Sequence, residues 1–495
     1  MAFWGRSRRA SGPSASPGLS HGFDVAAYAR LAERAEEALR LARTRGRGVI
    51  ASVTVGLAGG IDPLAHVEAA RRGDERWSGF AQPARGDFAL ATLGAAAIVT
   101  AEGSDRFEKL AAGCGHVLEA ALVDDLFDDP DAPSGSGIIW IGGFAFLDER
   151  PSADVWRQSP AAELVLPRAS IVRKGAARLT LTLEMTPDSI VATEMSEVES
   201  LVERLRLEDD LGPQSFEPGS GEANVSSVSS PEHFERAVAE ASDQIRGGAY
   251  EKIVLAREVS LRREEPIDPF NAVRGLQESF PECTTFAIGR SDSCFLGASP
   301  ELLIRREGRR ASTMALAGSM RRGADPETDA HLGAQLMMSD KNREEHGIVV
   351  QRIERTLGRY SAWIAAGETP ELVKFKNIQH LATPIRAQLT EPRPAIELAG
   401  FLHPTPAVGG EPWGEVRDRI KALEGFDRGW YTGGVGWTDL FEDGEFHVAL
   451  RSALIEGPQA RLFAGCGIVG DSDPAAELAE TETKLQALLP VLSLS

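Results

Sequence analysis

Cysteine is scarce in this 495-residue chain, and the four present (Cys114, Cys283, Cys294, Cys466) are scattered without C-x-x-C spacing. That argues against a disulfide framework or a structural zinc site and fits a reducing cytosol. Long apolar runs are lacking too. No stretch reaches the roughly 20 residues of a membrane helix, and the N-terminus has no apolar core of a secretory signal, so a cytoplasmic protein with no membrane partner is expected. Positive charge is in deficit, with a formal net charge of −20. Such a chain repels nucleic acid and anionic membrane, because both reward clustered Lys and Arg. It also disfavours any anionic substrate unless cations are placed locally. No internal repeat is visible.

What is present is ordinary globular material, with 42% hydrophobic residues, ample for a core. Residues 1–23 hold three arginines and no acid and read as a disordered tail. Helical spacing runs from Val25 to Arg45, and Val49 to Leu57 reads as a strand. Helices and strands then alternate to about Arg206, including strand-like runs at Gly137–Phe146 and Ala177–Leu183. The segment from Asp209 to Pro231 is rich in Ser, Gly and Pro and reads as an exposed loop. Placing the main boundary there gives an N-terminal half over 24–208, a linker over 209–230 and a second region over 231–490. The latter opens with an amphipathic helix, Pro231 to Gly247, and a short strand, Lys252 to Arg257.

The C-terminal run GCGIVGDSDPAAELAETETK, residues 465–484, carries the densest signal. Asp473 followed by Pro474 reads as a helix start, with Asp473 capping and Pro474 at the first helical position. Glu477, Glu480 and Lys484 then fall at i, i+3 and i+7 on one stripe, where two carboxylates and an ammonium can converge on a metal and an anion. Charged residues at such spacing are more often a solvated face. Four further segments tip the balance. Lys252 heads an apolar strand, and a partly buried lysine can serve as a base. Glu301 sits among apolar neighbours in FLGASPELLIR, where a carboxyl can be kept protonated as an acid. Glu345 lies where a charged helix start turns apolar. Gln379–Thr383 and the Pro- and Gly-rich Leu402–Gly410 supply a loop able to wrap a small ligand.

Together with KIVLAR, LAGS, EEH, QHLAT, LHPTPAVGG, FDRGWYTGGVGW, VALRSA and AGCGIV, these segments resemble the chorismate-utilising enzymes and, among them, the isochorismate synthases. The match spans roughly residues 231–490. It implies an α/β (α+β) fold with two facing antiparallel β-sheets flanked by helices. It implies Mg²⁺ held by Glu345 and Glu480, with Glu477 nearby and acting through water. Lys252 matches the base that activates water for attack at ring carbon 2 of chorismate, and Glu301 the acid that protonates the departing hydroxyl at carbon 4. Arg451, Lys484 and backbone N–H groups near Gly318, Ser319 and Gly465 would meet anionic oxygens, and His380 and Ala407 line the ring pocket.

The resemblance also sorts subclasses. Members that use ammonia lack the lysine at position 252 and usually work with a glutamine amidotransferase; this chain has Lys252, no glutaminase motif and Ala317 where aminodeoxychorismate synthases tend to carry a nucleophilic lysine. No amidotransferase partner and a monomer are expected. Salicylate synthases share Lys252 and Glu301, and a catalytically silent chorismate-binding relative is a third alternative. Asn342, where aspartate is frequent, and Cys466, where alanine is usual, depart from the family pattern. Asn342 is expected to alter affinity rather than reaction type, and Cys466 to act as small apolar filler.

Overall fold

The computed structural model describes residues 23–495 apart from 58–59, 127–134, 210, 213 and 221, so the tail expected over residues 1–23 lies, but for Phe23, outside the described residues. The first helix runs Val25–Arg45. Its start is fixed by Asp24, whose side chain accepts from Ala27 N, and its end by Gly46 at φ +68°, a conformation glycine adopts without Cβ strain. Leu31, Ala35, Ala38 and Ala42 form its buried stripe, which packs against the strand Val49–Leu57.

Among the described residues, twenty-three strands form a sheet of thirteen and a sheet of ten, accompanied by twelve α-helices. Pairing is antiparallel except between Val49–Leu57 and Leu122–Asp125. The two halves of the chain are interleaved in both sheets. In the larger, Thr284–Arg290 pairs with Trp77–Gln82, and in the smaller, Gly434–Asp439 pairs with Ile139–Phe144. Within the segment read as a loop over 209–230, Asn224–Ser227 adds an exposed edge strand to Val259–Arg262.

The sheets face each other across a shared apolar core. Phe286, Phe295 and Phe463 from the larger sheet cluster there with Ile141, Val435 and Trp437 from the smaller. Each such side chain contributes about 1.5–3 kcal/mol of transfer free energy on burial, which holds the layers in register. No helix among the described residues is long and apolar enough to cross a membrane.

The fold draws the C-terminal elements to one place. The strand Lys252–Arg262 pairs along its length with Gln459–Ile468, and the helix Pro474–Leu485 packs back on that second strand. The smaller sheet contributes Arg310–Arg321 and Ile378–Leu389, whose pairing slips by one residue at Gly318. Gly318 has φ +77°, and at the slip it lies against Asn342, where an added Cβ would stand 3.2 Å from the Asn342 Cβ.

Candidate active site

Every residue expected at the site except Lys252 lines a single cavity of about 130 Å³, space for a small molecule rather than a lone water. Lys252 stands behind the wall. Its side chain is fully buried, and Nζ donates to Glu345 Oε1 at 2.7 Å. Glu345 projects from the helix Asp340–Gly358, which Ser339 caps by accepting from Asn342 N. Gly467, on the strand facing Lys252, makes room for the pair. A Cβ there would stand 2.5 Å from Glu345 Oε1 and 2.9 Å from Lys252 Cε.

The helix Pro474–Leu485 begins as its sequence requires, with Asp473 Oδ1 accepting from Ala476 N at 2.9 Å. Lys484 Nζ reaches Glu480 Oε1 at 2.7 Å and Gly465 O at 2.8 Å. Burial works to lower the affinity of Lys484 for its proton, but the Glu480 carboxylate more than offsets it and the net shift is upward. Glu477 is buried, and burial together with the Glu480 charge pushes its carboxyl up. Lys341 Nζ lies 3.5 Å from Glu477 Oε1 and lines the cavity, a residue that sequence reasoning passed over.

Glu301 is buried among the strands, and desolvation raises its carboxyl to about 8 against the opposing pull of the Lys252 charge. At neutral pH it therefore holds a proton it can give away. His380 is pushed well below the ordinary histidine range by burial and by the charges of Arg451 and Lys484, so its ring is neutral. Its Nδ1 lies 3.0 Å from Ser319 Oγ. Half-buried Arg451 lines the cavity, held by Cys283 Sγ at 3.3 Å and by the Phe375 ring, 4.5 Å from its guanidinium carbon.

The two departures from the family pattern also fall here. Asn342 Nδ2 donates to Ser339 Oγ at 2.8 Å, reinforcing the cap beside Gly318. Cys466 is buried, its thiol pushed well up by desolvation, and Sγ donates to Glu477 O at 3.7 Å. It packs as filler under the C-terminal helix.

Three carboxylates, Glu345, Glu477 and Glu480, supply the oxygen donors that could hold a hard divalent cation. As placed, each faces an ammonium, from Lys252, Lys341 and Lys484 respectively. Among the described residues no three His, Cys, Asp or Glu side chains already converge on one metal position. The three ammonium–carboxylate pairs balance one another, and Arg451 adds a cation at the cavity that can meet an anionic ligand despite the acidic whole.

Residues 35–493 match the chorismate binding enzyme family. The chain belongs to that family. It is 36% identical to the salicylate biosynthesis isochorismate synthase of Pseudomonas aeruginosa over 400 residues, covering 81% of this chain and 82% of that one. It is 35% identical to the isochorismate synthase MenF of Bacillus subtilis over 367 residues, covering 72% and 75%. The fold is similar to that of MenF, the menaquinone-specific isochorismate synthase from Escherichia coli, with a TM-score of 0.73 and 26% identity over 94% of this chain and all of the other.

Sequence reasoning also passed over Thr432, which lines the cavity with φ +60°, and the buried pair Glu424–Arg428 behind it. The i, i+4 spacing of a glutamate and an arginine was the available signal.

Proposed function

We propose that this protein is an Mg²⁺-dependent isochorismate synthase that interconverts chorismate and isochorismate. The observation that carries this reading is Glu301 lining the cavity with its carboxyl pushed up to about 8 by burial, and the buried Lys252 behind the cavity wall, whose charge opposes that shift. Water attacks ring carbon 2 as Lys252 draws its proton. The ring double bond shifts, and the carbon 4 hydroxyl leaves as water with the proton of Glu301. The reverse reaction uses the same groups in swapped roles. Arg451 and Lys484 offset the substrate's carboxylates, and Ser319, His380 and Ala407 shape the ring pocket.

The residues fit Mg²⁺. The donors are all carboxylate oxygens, and the upward shift at Glu477 from burial and the Glu480 charge marks acidic crowding that a dication relieves. Glu345 and Glu480 would hold the ion, with Glu477 acting through water. When bound it supplies a fixed positive charge that clamps a substrate carboxylate. Before Lys252 can act as a base, its bond to Glu345 must be broken.

The product would feed menaquinone or siderophore biosynthesis; the similar structure from Escherichia coli is described as menaquinone-specific. Four free, buried cysteines support a cytoplasmic enzyme, and a monomer without amidotransferase is the expected form. A second reading, salicylate synthase, shares Lys252 and Glu301. The test is chromatography of products after incubating purified protein with chorismate, with Mg²⁺ and then with chelator. Isochorismate in equilibrium with chorismate, lost on chelation, supports the synthase. Salicylate with pyruvate moves the chain to the lyase, and no turnover favours a silent relative.

A further inference from the structure

Arg428 sits behind the cavity, 3% exposed, with all five of its N–H groups engaged. Nη2 donates to Val254 O at 2.8 Å and to Glu424 Oε1 at 2.5 Å. Nη1 donates to Val408 O at 2.8 Å and to Thr432 Oγ1 at 3.1 Å, and Nε to Glu424 Oε2 at 3.0 Å. Glu424 Oε1 in turn accepts from Ala256 N at 2.7 Å. The guanidinium lies 4.3 Å from the centre of the Phe146 ring, so its plane is fixed by stacking as well as by hydrogen bonds.

These bonds join the two sides of the proposed chemistry. Val254 and Ala256 lie on the strand headed by Lys252. Thr432 leads to the other side: its N–H donates to Ala449 O, and the neighbouring Val448 N–H donates to Glu301 O. Val408 belongs to the loop that also brings Ala407 to the cavity. One rigid fork therefore spans from the strand of the base to the segment hydrogen-bonded to the acid, with the ring-pocket loop tied in between. Attack at carbon 2 and departure at carbon 4 require those two groups at a set separation, and a displacement of about 1 Å can cost about 10²-fold in rate.

We propose that Arg428 is a positioning residue that sets the spacing of Lys252 and Glu301 through Val254, Val408 and Thr432. The inference rests on the isochorismate synthase reading. Its role needs the planar fork: a lysine ammonium has three donors and cannot serve Val254, Val408, Thr432 and Glu424 together.

The test is steady-state kinetics on Arg428→Lys and on the double variant Arg428→Met/Glu424→Leu, the second removing both buried charges so that neither is left unpaired. The proposal expects kcat to fall about tenfold or more in both folded variants while KM for chorismate stays within about threefold, because Arg428 touches no ligand. A role in folding alone would lower the melting temperature and spare kcat. Wild-type kcat in the folded double variant overturns the proposal while leaving the synthase reading intact. Wild-type protein that makes no isochorismate overturns that reading, and the inference with it.

Discussion

Lys252 is paired with Glu345: Nζ and Oε1 are 2.7 Å apart, and no part of the lysine side chain is exposed. The group assigned to draw a proton from water is thus bound to one of the carboxylates assigned to the metal.

Lys252→Ala is expected to lower kcat by about 10²–10⁴-fold, the usual contribution of a positioned base. Chorismate binding in the presence of Mg²⁺, followed by calorimetry, should change by less than about threefold, since Arg451 and Lys484 remain. Normal turnover in this variant removes Lys252 from the chemistry.

The pH dependence follows from Glu301. Its carboxyl is raised from the ordinary 4.5 to about 8 by burial, so the acid is loaded below pH 8 and unloaded above it. kcat/KM should fall about tenfold per pH unit beyond that point. The sign for stability is the reverse of a paired carboxylate. Between 4.5 and 8 the folded protein holds a proton that the unfolded chain has released, so this group's contribution to stability declines as pH rises through that window. Glu301→Gln should abolish turnover yet melt at or above the wild-type temperature at pH 8. A large loss of stability there would contradict the buried, proton-holding carboxyl.

Glu480→Gln should weaken Mg²⁺ binding by about tenfold or more, read by titrating the protein with the metal alone. An unchanged affinity places Glu480 outside the metal's ligands, leaving it a partner of Lys484.

Gly467→Ala probes the contact of base and carboxylate from the outside. The added methyl would meet Glu345 Oε1 and Lys252 Cε, both ends of flexible side chains, so the pair can give way without unfolding the sheet. kcat is expected to drop about tenfold with little change in melting temperature. Full activity would mean that the pair's position is loosely set.

Much of the local structure was legible in the sequence where punctuation met periodicity. Helical spacing marks the first helix over Val25–Arg45 and the one that begins at Pro231, and Asp473–Pro474 opens the C-terminal one. The sheets were not legible from periodicity. Pairings such as Gly434 with Phe144 join residues from opposite halves of the chain, and no local pattern encodes them. Family resemblance supplied that layering. The site divides the same way. Glu477, Glu480 and Lys484 announce themselves by helical spacing, whereas the meeting of Lys252 with Glu345 depends on a helix and a strand distant in sequence. Arg428 lay in the quoted motif FDRGWYTGGVGW without a role: the i, i+4 spacing signals Glu424 as a partner, whereas no side-chain pattern reveals its bonds to Val254 O and Val408 O.

The central claim is that water enters at ring carbon 2 as the carbon 4 hydroxyl leaves. Mass spectrometry of product formed from chorismate in H₂¹⁸O tests it most directly. The account predicts isochorismate carrying one ¹⁸O at carbon 2. Isochorismate formed without label would mean that the hydroxyl migrates within the substrate, and would contradict the roles given to Lys252 and Glu301.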